Sequence, residues 1–169
     1  MTATSTDTYD QFAAAVGEYD VELTRVGPQE ARDVVADLVD PPAVGAPLPW
    51  EAVSLPGEVT TDPTPAELDA AATGVTGATL AVADYGSVFL PNTADGAEPA
   101  SLFPDLHVVV LREADIVPDM DAAFDRLAER AREHGASGVL ATGPSATADM
   151  GELVRGAHGP KAVHGVVLS

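Results

Sequence analysis

Two loops and one turn carry the residue types that could do chemistry. Thr142-Gly143-Pro144-Ser145-Ala146-Thr147-Ala148-Asp149 follows an apolar run. Gly143 lets the backbone turn, Pro144 sets the first turn of the next segment, and Ser145 and Thr147 offer hydroxyls beside backbone N–H groups. Free N–H groups in such a turn cradle a carboxylate or a phosphate. The same residues also suit an ordinary strand-to-helix turn with a Ser or Thr cap, and the Gly-Lys-Ser/Thr ending of a P-loop is absent. The second loop is Gly156-Ala157-His158-Gly159-Pro160-Lys161, with His164 behind it. His158 suits an acid, a base or a hydrogen-bond donor near neutral pH. Lys161 is the sole lysine, suited to pairing with a substrate anion or a partner's carboxylate, or simply placed in an exposed loop. In the third stretch, Thr73-Gly74-Val75-Thr76-Gly77-Ala78 precedes Asp84-Tyr85-Gly86-Ser87. Thr76 and Ser87 line one cleft if their strands are neighbours; otherwise the glycines punctuate a sheet.

Metal ligation finds little support. His107 sits inside an apolar run and reads as a core histidine, while His134 ends a helix, where positive charge suits the dipole. His158 and His164 are six residues apart across a Gly-Pro, and no HxxH or HExxH spacing occurs. The chain has no cysteine, which excludes disulfides, Cys-ligated zinc and an iron–sulfur cluster held by this chain alone. Asp and Glu total 27 against 8 Lys and Arg, for a net charge of −19. That balance argues against nucleic acid and against anionic lipid as partners. Spread charge of one sign is tolerated in concentrated salt, where the screening length is only about 3 Å at 1 M. With seven arginines against one lysine, the composition predicts a protein of a high-salt cytoplasm, with an ordinary acidic protein as the plainer alternative.

These loops need a scaffold, and 169 residues suit one domain. No apolar run reaches the roughly 20 residues of a membrane span, and no basic-then-apolar leader opens the chain. The expected location is therefore cytoplasmic. Residues 1–7 read as a frayed, disordered end and 8–169 as a single domain. Phe12, Ala15, Val16 and Tyr19 have helical spacing; Val21, Leu23 and Val26 alternate as a strand. Pro28 opens a second helix, stopped by Asp40-Pro41-Pro42. Residues 41–62 are Pro- and Gly-rich, with Ala52–Leu55 the one plausible strand. Thr64-Pro65-Ala66-Glu67 starts a helix with a capping box, ended at Gly74. Thr79–Ala83 and Ser87–Leu90 predict a tight hairpin turn or a bulge about Asp84-Tyr85-Gly86, and residues 92–100 a loop. Leu106–Leu111 suits a central parallel strand. Asp119 caps a helix striped by Met120, Ala123, Phe124, Leu127, Ala128 and Ala131, closed by Gly135. Val139–Ala141 reads as a buried strand, 142–160 as a Gly-rich stretch, and Val163–Leu168 as the last strand. This alternation predicts an α/β fold with a largely parallel sheet, with ligands beyond the carboxyl ends of its strands.

At these same loops the chain resembles the LUD domain family, most nearly its lactate utilisation C type. Thr142–Asp149, Gly156–Lys161 and the His164 strand resemble the family's C-terminal signature. Gly74–Ala78 with Ala81–Ser87 resembles its central motif, and Ser101-Leu102-Phe103-Pro104 leading to His107–Val110, then Val117-Pro118, follow in order. The resemblance covers residues 68–169 well and 8–40 loosely. Asp84-Tyr85-Gly86-Ser87 stands where Glu-Thr-Gly-Thr is expected, and 41–62 is abbreviated. The resemblance implies a Rossmann-like fold of the sugar-phosphate isomerase and CoA-transferase type. It implies a cytoplasmic, NAD-independent system oxidising lactate to pyruvate, in which this chain is a non-redox subunit beside two iron–sulfur partner proteins and binds no cofactor itself. A stand-alone protein binding a carboxylate or sugar phosphate remains the alternative. With the residue arguments above, the candidate ligand-binding set is Thr76, Gly77, Asp84, Gly86, Ser87, Thr142, Gly143, Pro144, Ser145, Thr147, Asp149, Gly156 and Gly159. His158 and Lys161 are the candidate catalytic groups.

Overall fold

The computed structural model describes residues 5–135 and 137–169. Its elements run α1 (Ser5–Gly17), β1 (Glu22–Val26), α2 (Ala31–Leu38), β2 (Ala43–Gly45), β3 (Val59–Thr61), α3 (Pro65–Ala70), β4 (Thr73–Gly77), β5 (Leu80–Val82), β6 (Ser87–Pro91) and α4 (Ala97–Leu102). They continue with β7 (Leu106–Arg112), a 3-10 turn (Glu113–Asp115), β8 (Ile116–Val117), α5 (Met120–His134), β9 (Gly138–Thr142), β10 (Ala146–Asp149), β11 (Glu152–Arg155) and β12 (Ala162–Leu168). Six strands form a parallel sheet in the order β1-β12-β7-β4-β2-β3. A second sheet, β8-β5-β6-β9, is mostly antiparallel, and β10-β11 forms a separate two-stranded arm.

The apolar run of β7, interrupted by His107, is explained by burial on both faces. Val108 and Val110 pack with Val166 and Leu168 of β12 against Ala31 and Val35 of α2. Val109 and Leu111 face the other way, into a cluster with Phe12 and Val16 of α1 and Ala81, Val88 and Leu90 of the second sheet. Beyond that sheet, Leu80, Val82 and Phe89 pack on Ala123 of α5. The layers are thus α2, large sheet, α1 with small sheet, and α5. Asp119 caps α5 by accepting from the Ala122 N–H, and Gly135 ends it in the left-handed region. Thr64 and Glu67 make the predicted capping box.

Several expectations are corrected. Helix α1 begins at Ser5, so residues 5–7 are helical rather than frayed; residues 1–4 lie outside those described. Helix α2 starts at Ala31, after a turn holding Pro28. Within 41–62 the strands are β2 and β3, not Ala52–Leu55. Three-residue strands show no periodicity; β2 is held by the backbone of its neighbours β3 and β4. Gly74 does not end α3, which stops at Ala70; it lies in β4, whose five residues are all buried. The expected loop 92–100 contains the start of α4. In α5, Phe124 and Ala131 are exposed, so the apolar stripe is only partly covered. Strand β9 is not buried either: it is the edge of the small sheet. Residues 142–160 hold the β10–β11 arm, which turns at Met150-Gly151 with both residues at positive φ.

Candidate functional site

A cleft of about 450 Å³ opens between the two sheets, at the amino-terminal ends of β7 and β12. One wall is the small sheet, through Leu90, Val139 and Ala141. A second is α4, through Glu98, Ser101 and Leu102. The rim is the Thr142–Ala146 turn with His158, Gly159 and Pro160, and His107 and Tyr19 complete the lining. The expected position, beyond the carboxyl ends of the parallel strands, is therefore reversed for this cleft.

Each wall has a local cause. Helix α4 lies against β4 because Gly74 has no side chain: a Cβ there would stand 1.7 Å from the Ala100 carbonyl oxygen. Gly143 adopts φ 61°, and its hydrogen side faces the Tyr19 side chain at a distance no Cβ would tolerate. The rim is stitched by backbone bonds. The Ser145 N–H donates to the Pro160 carbonyl at 2.8 Å, and the Gly156 N–H donates to the Ser145 carbonyl at 3.0 Å. Thr142 and Ser87 share a hydroxyl hydrogen bond of 2.6 Å.

His107 is nearly inaccessible to solvent, with Nε2 2.8 Å from the Thr76 hydroxyl. Burial pushes its pKa down to about 4, so the ring is neutral at pH 7. His164 also titrates low, chiefly from burial and against the opposing pull of Glu22; it bonds the Thr24 hydroxyl at 2.7 Å. Among the described residues no arginine or lysine lines the cleft, and Glu98 is its one carboxylate. Among the described residues no group of three or more His, Asp or Glu is placed to hold a metal ion.

The predicted residues divide accordingly. Thr142, Gly143, Pro144, Ser145, His158 and Gly159 come together on the cleft. Thr147 and Asp149 lie on the exposed arm. Thr76 and Ser87 are buried in different sheets, the first behind His107 and the second behind Thr142. Gly77 packs on Pro49, Gly86 packs on Val16, and Asp84 is exposed. Lys161 makes an ion pair of 2.8 Å with Asp105, while Gly156 packs on the Lys161 stem. The Thr142 turn enters β10 and not a helix, so no helix N-terminus stands behind it, and the Ser145 N–H is already bonded. His107 is the residue that sequence reasoning left in the core. It is both core and cleft wall, and only its polar type within an apolar run signalled that.

The fold and cleft define the class: an α/β protein with a largely parallel central sheet flanked by helices, carrying a mostly apolar cleft with a few convergent polar groups. The chain belongs to the LUD domain family, which residues 62–168 match. That range holds every residue lining the cleft except Tyr19. Lactate utilization protein C of Deinococcus radiodurans is 35% identical over 170 residues, which span 94% of this chain and 78% of that protein. Lactate utilization protein C of Bacillus subtilis is 32% identical over 129 residues, 72% of this chain and half of that protein's length. A crystal structure of a DUF162 family protein from Deinococcus radiodurans has a TM-score of 0.75 and 25% identity, covering 99% of this chain and all of that one. No helix among the described residues is long and apolar enough to cross a membrane.

Proposed function

We propose that this chain works in lactate utilisation as the non-redox subunit of a complex that oxidises lactate to pyruvate beside two iron–sulfur proteins. The observation that carries this reading is its 35% identity, over 94% of its length, with a protein named for lactate utilisation. Removing two electrons from lactate requires an acceptor. This chain has no cysteine with which to hold an iron–sulfur cluster, so in this reading the clusters that take the electrons belong to the partners. Its own contribution is the cleft. A mostly apolar lining, whose charged group is the carboxylate Glu98 rather than a cation, and a volume of about 450 Å³ favour a partner's loop, alone or with the acid, over the acid by itself. His158, exposed on the rim, is the group we assign to orienting or protonating what enters; Lys161, tied to Asp105, braces the loop that carries it.

The test is growth on lactate as sole carbon source by a host lacking the gene. We expect the wild-type gene to restore growth and His158→Ala to restore none, while the variant protein keeps its unfolding midpoint. Normal growth with His158→Ala would remove that residue from the mechanism. A second reading, a stand-alone binder of a small molecule, is favoured by the cleft volume, which suits a ligand larger than a three-carbon acid. A thermal-shift screen of carboxylates and sugar phosphates on the isolated protein separates the two.

A further inference from the structure

Strand β9 ends the small sheet with one side unpaired. Which groups are unpaired is fixed by alternation along β6. The Phe89 carbonyl accepts from Thr79 on the β5 side, so Val88 and Leu90 turn toward β9, opposite Ala141 and Val139. Gly138, Leu140 and Thr142 therefore aim their backbone N–H and C=O groups away from the sheet. The strand is uncharged and holds no proline, and Val139 and Leu140 are 42% and 39% exposed. Natural edges usually carry a charge, a proline or a cover, and among the described residues this one has none of them. The surface beside it continues apolar. A groove of about 440 Å³ runs between β9 and α5, with Phe124, 61% exposed, on its wall.

Charge supplies a second, independent observation. Residues 1–119 hold 21 acids and three bases, whereas residues 120–169 hold six acids and five bases, so the two parts carry −18 and −1. The segment bearing α5, β9 and the arm is thus the near-neutral part of a strongly acidic chain. Its charged residues are as frequent as elsewhere but nearly balanced in sign, so two such faces do not repel as two acidic bodies do. A basic partner would be drawn to the acidic body, not to this face. Two copies meeting here would join neutral surfaces and keep their acidic bodies apart.

We propose that the chain forms a two-fold dimer by antiparallel pairing of β9 with β9 of a second copy, making one eight-stranded sheet. Leu140 lies opposite its own copy, and Gly138 lies opposite the partner's Thr142. The two α5 helices, on the same face of the joined sheet, close the Phe124 grooves over each other. Such an interface is self-complementary, as a two-fold dimer requires.

Sedimentation equilibrium of the full chain, in low and in molar potassium chloride, tests this. We expect a dimer that tightens with salt, since the −18 bodies still repel. Leu140→Lys and Phe124→Glu change side chains already exposed in the single chain, so both should fold, as circular dichroism would check. Each is expected to weaken the dimer roughly a hundredfold, because every substitution falls twice per dimer and each factor of ten is about 1.4 kcal/mol. Tyr85→Lys, 54% exposed but on the β5–β6 turn, should leave it unchanged. Hydrogen exchange gives a second readout: the Leu140 amide should gain protection as concentration rises. A monomer at every concentration and salt, a dimer indifferent to Leu140→Lys, or an unprotected Leu140 amide would each overturn the proposal.

Discussion

Gly74→Ala is expected to lose a large share of the protein's stability, and Gly74→Val to yield no folded protein. The added Cβ would stand 1.7 Å from the Ala100 carbonyl oxygen and 2.9 Å from its carbon. Both obstacles are backbone, so no side-chain rotation relieves them; α4 must leave the sheet. Overpacking of a core side chain costs ~1–3 kcal/mol, and this contact is worse, so a loss above about 3 kcal/mol is expected. A domain of this kind has about 5–15 kcal/mol in total. The loss also has a functional side, because Glu98, Ser101 and Leu102 stand on α4 and form one wall of the cleft. Gly57→Ala is the matched control: nothing lies within 4 Å of its Cβ. Urea unfolding of the three variants measures the difference. A Gly74→Ala midpoint equal to that of Gly57→Ala would show that α4 does not pack as described.

His107 sets the second large effect, in the pH dependence of stability. In the unfolded chain the ring takes a proton near pH 6.5; in the fold, burial holds it back until about 4. Between those values the unfolded state binds more protons. Stability is therefore flat above about pH 6.5 and falls as the pH drops toward 4. Charging the ring inside the fold costs on the order of 3 kcal/mol in full, of which about 2 kcal/mol is felt at pH 5. The expected result is a wild-type unfolding midpoint that drops between pH 7 and pH 5. In His107→Gln the drop should be smaller, leaving the share due to His164, whose pKa burial also lowers. Equal drops in the two proteins would mean that His107 is not a buried neutral ring.

Much of this architecture was legible in residue patterns, and the exceptions have physical reasons. Strand β7 and helix α5 declared themselves through a long apolar run and a capped amphipathic stripe. Strand β4 did not, because Gly74 and Gly77 are demanded by α4 and Pro49 rather than by the strand, and glycine reads as punctuation. Val139-Leu140-Ala141 resembles a buried strand because an edge meant for covering has the composition of a core. The arm was hidden because its turn puts Met150 at φ 47°, which no residue signature announces. On the cleft, the Gly143 loop stood out through its Gly-Pro turn and hydroxyls, and the His158 loop through a titratable group between glycines. His107 was left in the core, since its neighbours in sequence are apolar while its ring faces the cleft. The acidic net charge pointed to a solvent, yet its uneven distribution along the chain mattered only once the structure set α5 beside the small sheet that β9 edges.

The most direct measurement of the central claim is affinity purification of the tagged protein from its native host in concentrated salt, followed by mass spectrometry and an assay of lactate-dependent acceptor reduction. We expect two iron–sulfur proteins in the eluate and pyruvate formed from lactate, with both lost on depletion of this chain. A chain that elutes without iron–sulfur partners, from cells growing on lactate, would contradict the lactate-complex assignment.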